Sequence, residues 1–164
     1  MRRERIAFHE AGHAVVAYRL GIEVEFVTIL PTHHSAGHVT HGDLFCGGAD
    51  SDRAALERAI KINLAGPMAE ALFYPRYRRR RGSQDYVCAF GLARYLAGWG
   101  AQEIIRCQER ETKKLLNLYW NDVKHVAQAL LEYDELTGIA VKGIMDREED
   151  DWIAAMAPDE PDPF

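Results

Sequence analysis

The chain has 164 residues, 48% of them hydrophobic and 27% charged, which predicts one globular domain with its own core. A formal net charge of −5 gives no general electrostatic reason to bind nucleic acid or anionic lipid, so neither is expected as a partner. No run approaches the ~18 consecutive apolar residues that span a bilayer, and three cysteines without a C-x-x-C pair favour a reducing, cytoplasmic compartment.

The first part of the chain predicts a helix followed by a small sheet. Apolar residues recur at three- and four-residue steps between Arg5 and Leu20, and Gly21 follows as a helix stop. The β-branched and aromatic run 22–29 predicts a strand, and 37–40 predicts a short second one. A small hairpin or sheet is therefore expected after the first helix.

The next helical pattern contains its own interruption. Asp50 and Ser51 are suited to cap its start, and the pattern runs through Leu56 to Leu64. Gly66 with Pro67 predicts a kink or break before the pattern resumes as far as Phe73. Ser83 has the side chain of an N-cap and predicts the start of a further helix.

The remaining chain completes a predicted helical bundle. The basic run 76–81 is expected to be a solvated loop, and the segment 101–133 carries an apolar stripe typical of one face of a packed helix. Thr137 is suited to cap a last short helix. We therefore expect an α+β, mainly α-helical domain over residues 1–146, and an acidic, mobile tail over 147–164.

The strongest chemical signal is the segment His9-Glu10-Ala11-Gly12-His13 inside the first predicted helix. Residues four apart return to nearly the same helix face, so His9 and His13 can bind one metal ion, and zinc suits them. Glu10 follows the first histidine, where its carboxylate can act as general base on a water activated by the metal. The small Ala11 and Gly12 leave room for a substrate or a second element to approach.

A catalytic zinc site needs a third protein ligand, and helical spacing alone does not identify it. Carboxylates on the later helices and histidines in the loop region are all candidates. They are Glu70, Asp85, His33, His34, His38 and His41. Each also has a plain interpretation as a surface carboxylate, a first-turn acid favoured by a helix dipole, or part of a polar loop.

The sequence resembles the protease domain of the FtsH family, membrane-anchored AAA+ zinc proteases that degrade misfolded and short-lived proteins. The matching segments are 7–16, 27–31, 36–39, 64–70 and 82–85, in the family's order and over most of the chain. The resemblance implies a zincin-like fold, in which the HExxH helix lies beside a small sheet and a helical bundle follows.

The resemblance also implies roles for residues that spacing left open. Asp85 matches the aspartate that is the family's third zinc ligand, and Glu70 matches a helix glutamate near the site that could orient an imidazole N–H. By the same analogy Gly37, His38 and Val39 would belong to an edge strand that pairs with an extended substrate backbone.

The chain departs from the family by having neither its transmembrane helices nor an ATPase module, because no G-x-x-x-x-G-K-[ST] loop occurs. We therefore expect a polypeptide substrate that is already flexible, and a separate ATPase or a homo-oligomer as possible partners. The predicted function is a zinc-dependent metalloendopeptidase with Zn²⁺ as cofactor. The alternatives are a non-catalytic zinc-fold adaptor, for which the basic run would bind an acidic surface, and a processing peptidase of narrow specificity.

Overall fold

The computed structural model describes residues 2–31, 37–42, 51–75 and 83–146. The elements in chain order are α1 (Arg2–Arg19), β1 (Val24–Thr28), β2 (His38–His41), α2 (Ser51–Phe73), α3 (Gln84–Ala97), a 3-10 turn (Gly98–Gly100), α4 (Ala101–Leu118), α5 (Trp120–Tyr133), β3 (Glu135–Thr137) and α6 (Gly138–Met145). The predicted α+β, mainly helical fold is confirmed. The basic run 76–81, His33, His34 and the tail 147–164 lie outside the described residues, so the predictions made for them stay predictions.

The helix α1 ends where the sequence predicts, and a three-stranded antiparallel sheet follows. Gly21 has φ of +76°, a left-handed conformation that glycine adopts without steric cost. The strand order is β2-β1-β3, so β2 forms one edge of the sheet. Thr28 of β1 pairs with His38 of β2 on one side and with Glu135 of β3 on the other. The three-residue strand β3 was not predicted, because it is too short to show an alternating pattern.

Of the predicted kink or break in α2, the break is wrong, because the helix continues through Gly66 and Pro67 to Phe73. Tertiary packing outweighs the local preference here. A Cβ on Gly12 of α1 would lie 2.6 Å from the Cβ of Ala69, so the two helices approach as closely as the glycine permits. Gly12 therefore makes room for a second element, as the small residues of the motif suggested.

The segment 101–133 is also different from its prediction, because it forms two helices. The helices α4 and α5 meet at Tyr119, whose φ of −107° and ψ of 27° are not helical. Leu118 is 71% exposed and therefore lies outside the buried stripe. The caps are as predicted: Ser83 accepts from the amide of Tyr86, and Thr137 accepts from that of Ala140.

One core joins these elements. The buried side chains of α1, β1 and α2 to α6 form a single cluster, with Val15, Leu64 and Leu130 fully enclosed. In the described ranges, every helix is too short or too polar to span a bilayer. This core holds α1 between the sheet and the other helices, and fixes the position of the histidine motif.

Candidate metal centre

Side chains from two helices converge beside the core. His9 and His13 point from α1 toward Asp85, which lies in the first turn of α3 behind the Ser83 cap. The Nε2 atoms of the two histidines are 3.1 Å apart. Oδ2 of Asp85 lies 3.2 Å from Nε2 of His9, and Oδ1 lies 3.8 Å from Nε2 of His13. Among the described residues these three form the one group with the spacing of metal ligands.

This donor set fits zinc in both chemistry and size. Zinc binds imidazole nitrogen and carboxylate oxygen at about 2.0–2.2 Å, so ligand atoms at the corners of a tetrahedron lie about 3.3 Å apart. The distances of 3.1, 3.2 and 3.8 Å are close to that value. Three electron-pair donors this close together need a positive charge among them, either a proton or a metal ion.

The main chain of α2 orients His13. Its Nδ1 lies 2.7 Å from the carbonyl oxygen of Ile62. Because a carbonyl can only accept, Nδ1 carries the proton and Nε2 keeps its lone pair for the centre. Burial, together with the nearby charge of His9, lowers the pKa of His13 to about 4. This histidine is therefore neutral at physiological pH, which is the form that binds a metal ion.

Carboxylates on both sides hold His9. Oε2 of Glu70 lies 3.4 Å from Nδ1, and Oδ2 of Asp85 lies on the opposite side of the ring. Arg5 donates from both Nε and NH2 to Oε1 of Glu70, at 2.7 and 2.5 Å. Burial opposes the charged form of His9, but the hydrogen bonds to the two carboxylates outweigh it and raise the pKa to about 10.

The same contacts keep the two carboxylates ionised. Burial opposes ionisation of Asp85 and Glu70, but the hydrogen bonds from His9 lower the pKa of both. Arg5 adds to the effect on Glu70. The His9 side of the centre is thus a network of charges.

Glu10 lies next to this centre but outside the three-residue group. Its side chain is buried at 6% exposure, and burial raises its pKa to about 7, although the nearby charge of His9 opposes the shift. A general base works best when its pKa lies near the working pH. The edge strand approaches Glu10 closely, because a Cβ on Gly37 would lie 2.6 Å from Oε1 of the carboxylate.

The two loop-region histidines that the structure describes lie on the edge strand. His38 and His41 are on β2, where they pair with Thr28 and Val24, and neither belongs to the three-residue group. Val39 lies between them and packs against the core. The structure thus brings Glu10 next to the strand that begins after Gly37.

Three contributions were not anticipated from the sequence. The carbonyl of Ile62 is a main-chain group without a sequence signature, and Arg5 looked like one of several basic residues near the start. Gly66 gave a signal that was interpreted only as a helix breaker. A glycine inside a helical pattern also indicates a close approach by another element. Here that element is α1, because a Cβ on Gly66 would overlap Nε2 of His13.

Comparison with known proteins relates the chain to proteases. No family model matches it. It is 29% identical over 140 residues to the ATP-dependent zinc metalloprotease FtsH of Metamycoplasma arthritidis, a match that covers 79% of this chain and 18% of that protein. It is 27% identical over 185 aligned positions to the FtsH of Acidimicrobium ferrooxidans, covering 88% of this chain and 28% of that protein.

The similarity covers most of this chain but only a small part of each relative. The chain spans less than a third of the length of the curated relatives it matches. At this level of identity it is distantly similar to zinc metalloproteases of the FtsH type.

Proposed function

We propose that the chain is a zinc-dependent metalloendopeptidase. The observation that carries the proposal is the convergence of His9, His13 and Asp85 within tetrahedral ligand distances, with the buried carboxylate of Glu10 beside them. The distant similarity to proteins named zinc metalloproteases supports the same chemistry.

In the proposed reaction His9, His13 and Asp85 hold the ion. When bound, zinc supplies a Lewis acid that makes water nucleophilic at neutral pH. Glu10 accepts the proton that the water loses as it attacks the peptide carbonyl carbon, and then passes this proton to the amide nitrogen as the C–N bond breaks. Burial suits Glu10 to both steps, because it raises the pKa of this carboxyl group in the metal-free protein to about 7 and so favours proton exchange near neutral pH.

The edge strand supports the proposed substrate class. Among the described residues β2 pairs with β1 alone, so its other side is the proposed place for an extended peptide to add by main-chain hydrogen bonding. Gly37, His38 and Val39 are the proposed pairing residues, because Gly37 abuts the Glu10 carboxylate. An extended main chain is available in flexible or unfolded polypeptides, and we propose these as substrates.

Both relatives are named ATP-dependent zinc metalloproteases, which raises the question of whether this chain needs ATP for its substrates. We propose that this chain cleaves flexible polypeptides without ATP and that folded proteins require a separate unfolding ATPase. An adaptor that only binds zinc would have no need of a general base, so the buried Glu10 favours an enzyme over that alternative.

Cleavage of an unfolded fluorescent casein by the zinc-loaded protein, without ATP, tests the proposal. Glu10→Gln should keep zinc and lose about 10²–10⁴-fold in rate, because it removes a general base. A chelator should abolish cleavage of the wild-type protein. Equal cleavage by Glu10→Gln would contradict the assigned base, and absence of cleavage by zinc-loaded wild type would favour a narrowly specific or partner-dependent peptidase, or the adaptor.

A further inference from the structure

The helix α2 contains the two residues least favourable to a helix interior, Gly66 and Pro67, in direct succession. The helix nevertheless continues through them. Both residues lie where α2 meets the histidine motif of α1. Residues that disfavour a helix are retained inside one when their contacts compensate for the lost helical stability. The contacts of Gly66 and Pro67 therefore indicate what these residues do.

Gly66 provides the space that the His13 ring occupies. A Cβ built on Gly66 would overlap Nε2 of His13 and lie 2.6 Å from Cδ2 and 2.7 Å from Cε1. Nδ1 of the same ring is fixed by its hydrogen bond to Ile62, one turn earlier on α2, so moving the ring away from position 66 would break that bond. Any side chain at position 66 would therefore displace Nε2, the atom that faces Asp85.

Pro67 acts on the main chain of the preceding turn. It has no N–H for the carbonyl of Asn63, four residues earlier, and its ring pushes against that carbonyl. In the two turns that precede Pro67, two carbonyls receive side-chain donors. His13 donates to Ile62 O at 2.7 Å, and Nδ2 of Asn63 donates to Ala59 O at 2.8 Å. The carbonyl that Pro67 leaves without a helical donor is that of Asn63, next to Ile62, and a turn widened at this point gives the Ile62 carbonyl room for a second donor.

We infer that Gly66 and Pro67 form a seat for His13: the glycine gives the ring its place, and the proline opens the turn whose Ile62 carbonyl fixes the ring's tautomer. Both are positioning residues, since neither supplies a ligand atom. The inference rests on the proposed zinc site for its consequence. The seat itself consists of contacts between α1 and α2, so it can be tested in the metal-free protein.

Two variants and a matched control test the seat. Gly66→Ala removes the space, and Pro67→Ala restores a regular helical amide. Gly91→Ala is the control, because Gly91 also lies inside a helix but a Cβ there meets nothing within 4 Å. Zinc affinity is measured by competition with a chromophoric chelator. The His13 tautomer is read from imidazole ¹⁵N shifts of the metal-free protein, and the melting temperature from circular dichroism.

Both seat variants should bind zinc about 10- to 100-fold more weakly, as expected when the support of a ligand is lost. Pro67→Ala should do so while melting at a higher temperature, because alanine favours the helix. A purely structural role would instead move stability and leave the tautomer unchanged. Gly91→Ala should melt higher and keep zinc affinity within about twofold, because its Cβ reaches no neighbour.

Unchanged zinc affinity together with an unchanged His13 tautomer in Pro67→Ala would overturn the seat, even if Gly66→Ala failed to fold. A wild-type protein that binds no zinc would overturn the ligand assignment instead. The tautomer of the metal-free variants would still decide whether the seat exists, so the two failures are distinguishable.

Discussion

The two ends of the candidate metal centre are built in different ways. At the inner end, His13 lies on Gly66 and donates to the Ile62 carbonyl, so uncharged main-chain groups and shape hold it. At the outer end, His9 lies between the carboxylates of Glu70 and Asp85. The same helix thus supplies both proposed histidine ligands, one held by packing and one by charge.

The difference has opposite effects on the two imidazoles. Burial and the nearby charge of His9 lower the pKa of His13 to about 4, and the hydrogen bond to Ile62 does not offset them. For His9 the hydrogen bonds to two carboxylates outweigh burial and raise the pKa to about 10. The inner ligand is ready for a metal ion at any physiological pH. The outer one must first lose a proton, so metal binding and proton release are coupled there.

The largest expected effect comes from the inner end. His13→Ala removes one of three ligands and leaves the Ile62 carbonyl without its side-chain donor, so zinc per protein should fall from about one to near zero. Elemental analysis after gel filtration measures this ratio. His38→Ala is the control, because His38 is exposed on β2, and it should keep its zinc. Full zinc retention by His13→Ala would remove the ligand assignment.

The inner end also shows what sequence patterns can and cannot predict. His9, Glu10 and His13 are predictable because their geometry is local to one helix, whose period alone sets the spacing. Gly66 has a local meaning as a helix breaker and a tertiary one as a close contact. The prediction of a break in α2 followed the local meaning and is wrong, because the packing of the whole helix stabilises it more than two unfavourable residues destabilise it.

The outer end depends on the tertiary fold and was accessible only by analogy. Periodicity left the third ligand open among six residues, and the resemblance selected Asp85. The structure brings Asp85 within 3.2 Å of His9 because the Ser83 cap starts α3 at that point. Arg5 had no pattern that would relate it to Glu70, since ion pairs between distant segments leave no spacing signature.

Removing either carboxylate at the outer end should weaken zinc binding, but by different amounts. Asp85→Ala deletes a ligand atom and should weaken zinc binding more than about 100-fold, whereas Glu70→Ala deletes only a support of His9 and should cost about 10- to 100-fold. Chelator competition on both variants gives the order. Glu103→Ala, on the exposed face of α4, is the control and should match wild type. The reverse order for Asp85 and Glu70 would mean that the wrong carboxylate was assigned as ligand.

The smallest perturbation changes only the pH. In metal-free protein the His9 ring should titrate near pH 10 and the His13 ring near pH 4, because carboxylates stabilise the first imidazolium and burial disfavours the second. Below pH 10 a proton must leave His9 before zinc binds. Zinc affinity, corrected for zinc hydrolysis, should therefore rise about tenfold per pH unit between roughly pH 7.5 and 9. Carbon-detected imidazole shifts measure the titrations, and chelator competition measures the affinities. Two rings that both titrate near pH 6.5 would show that the ends of the centre do not differ in charge.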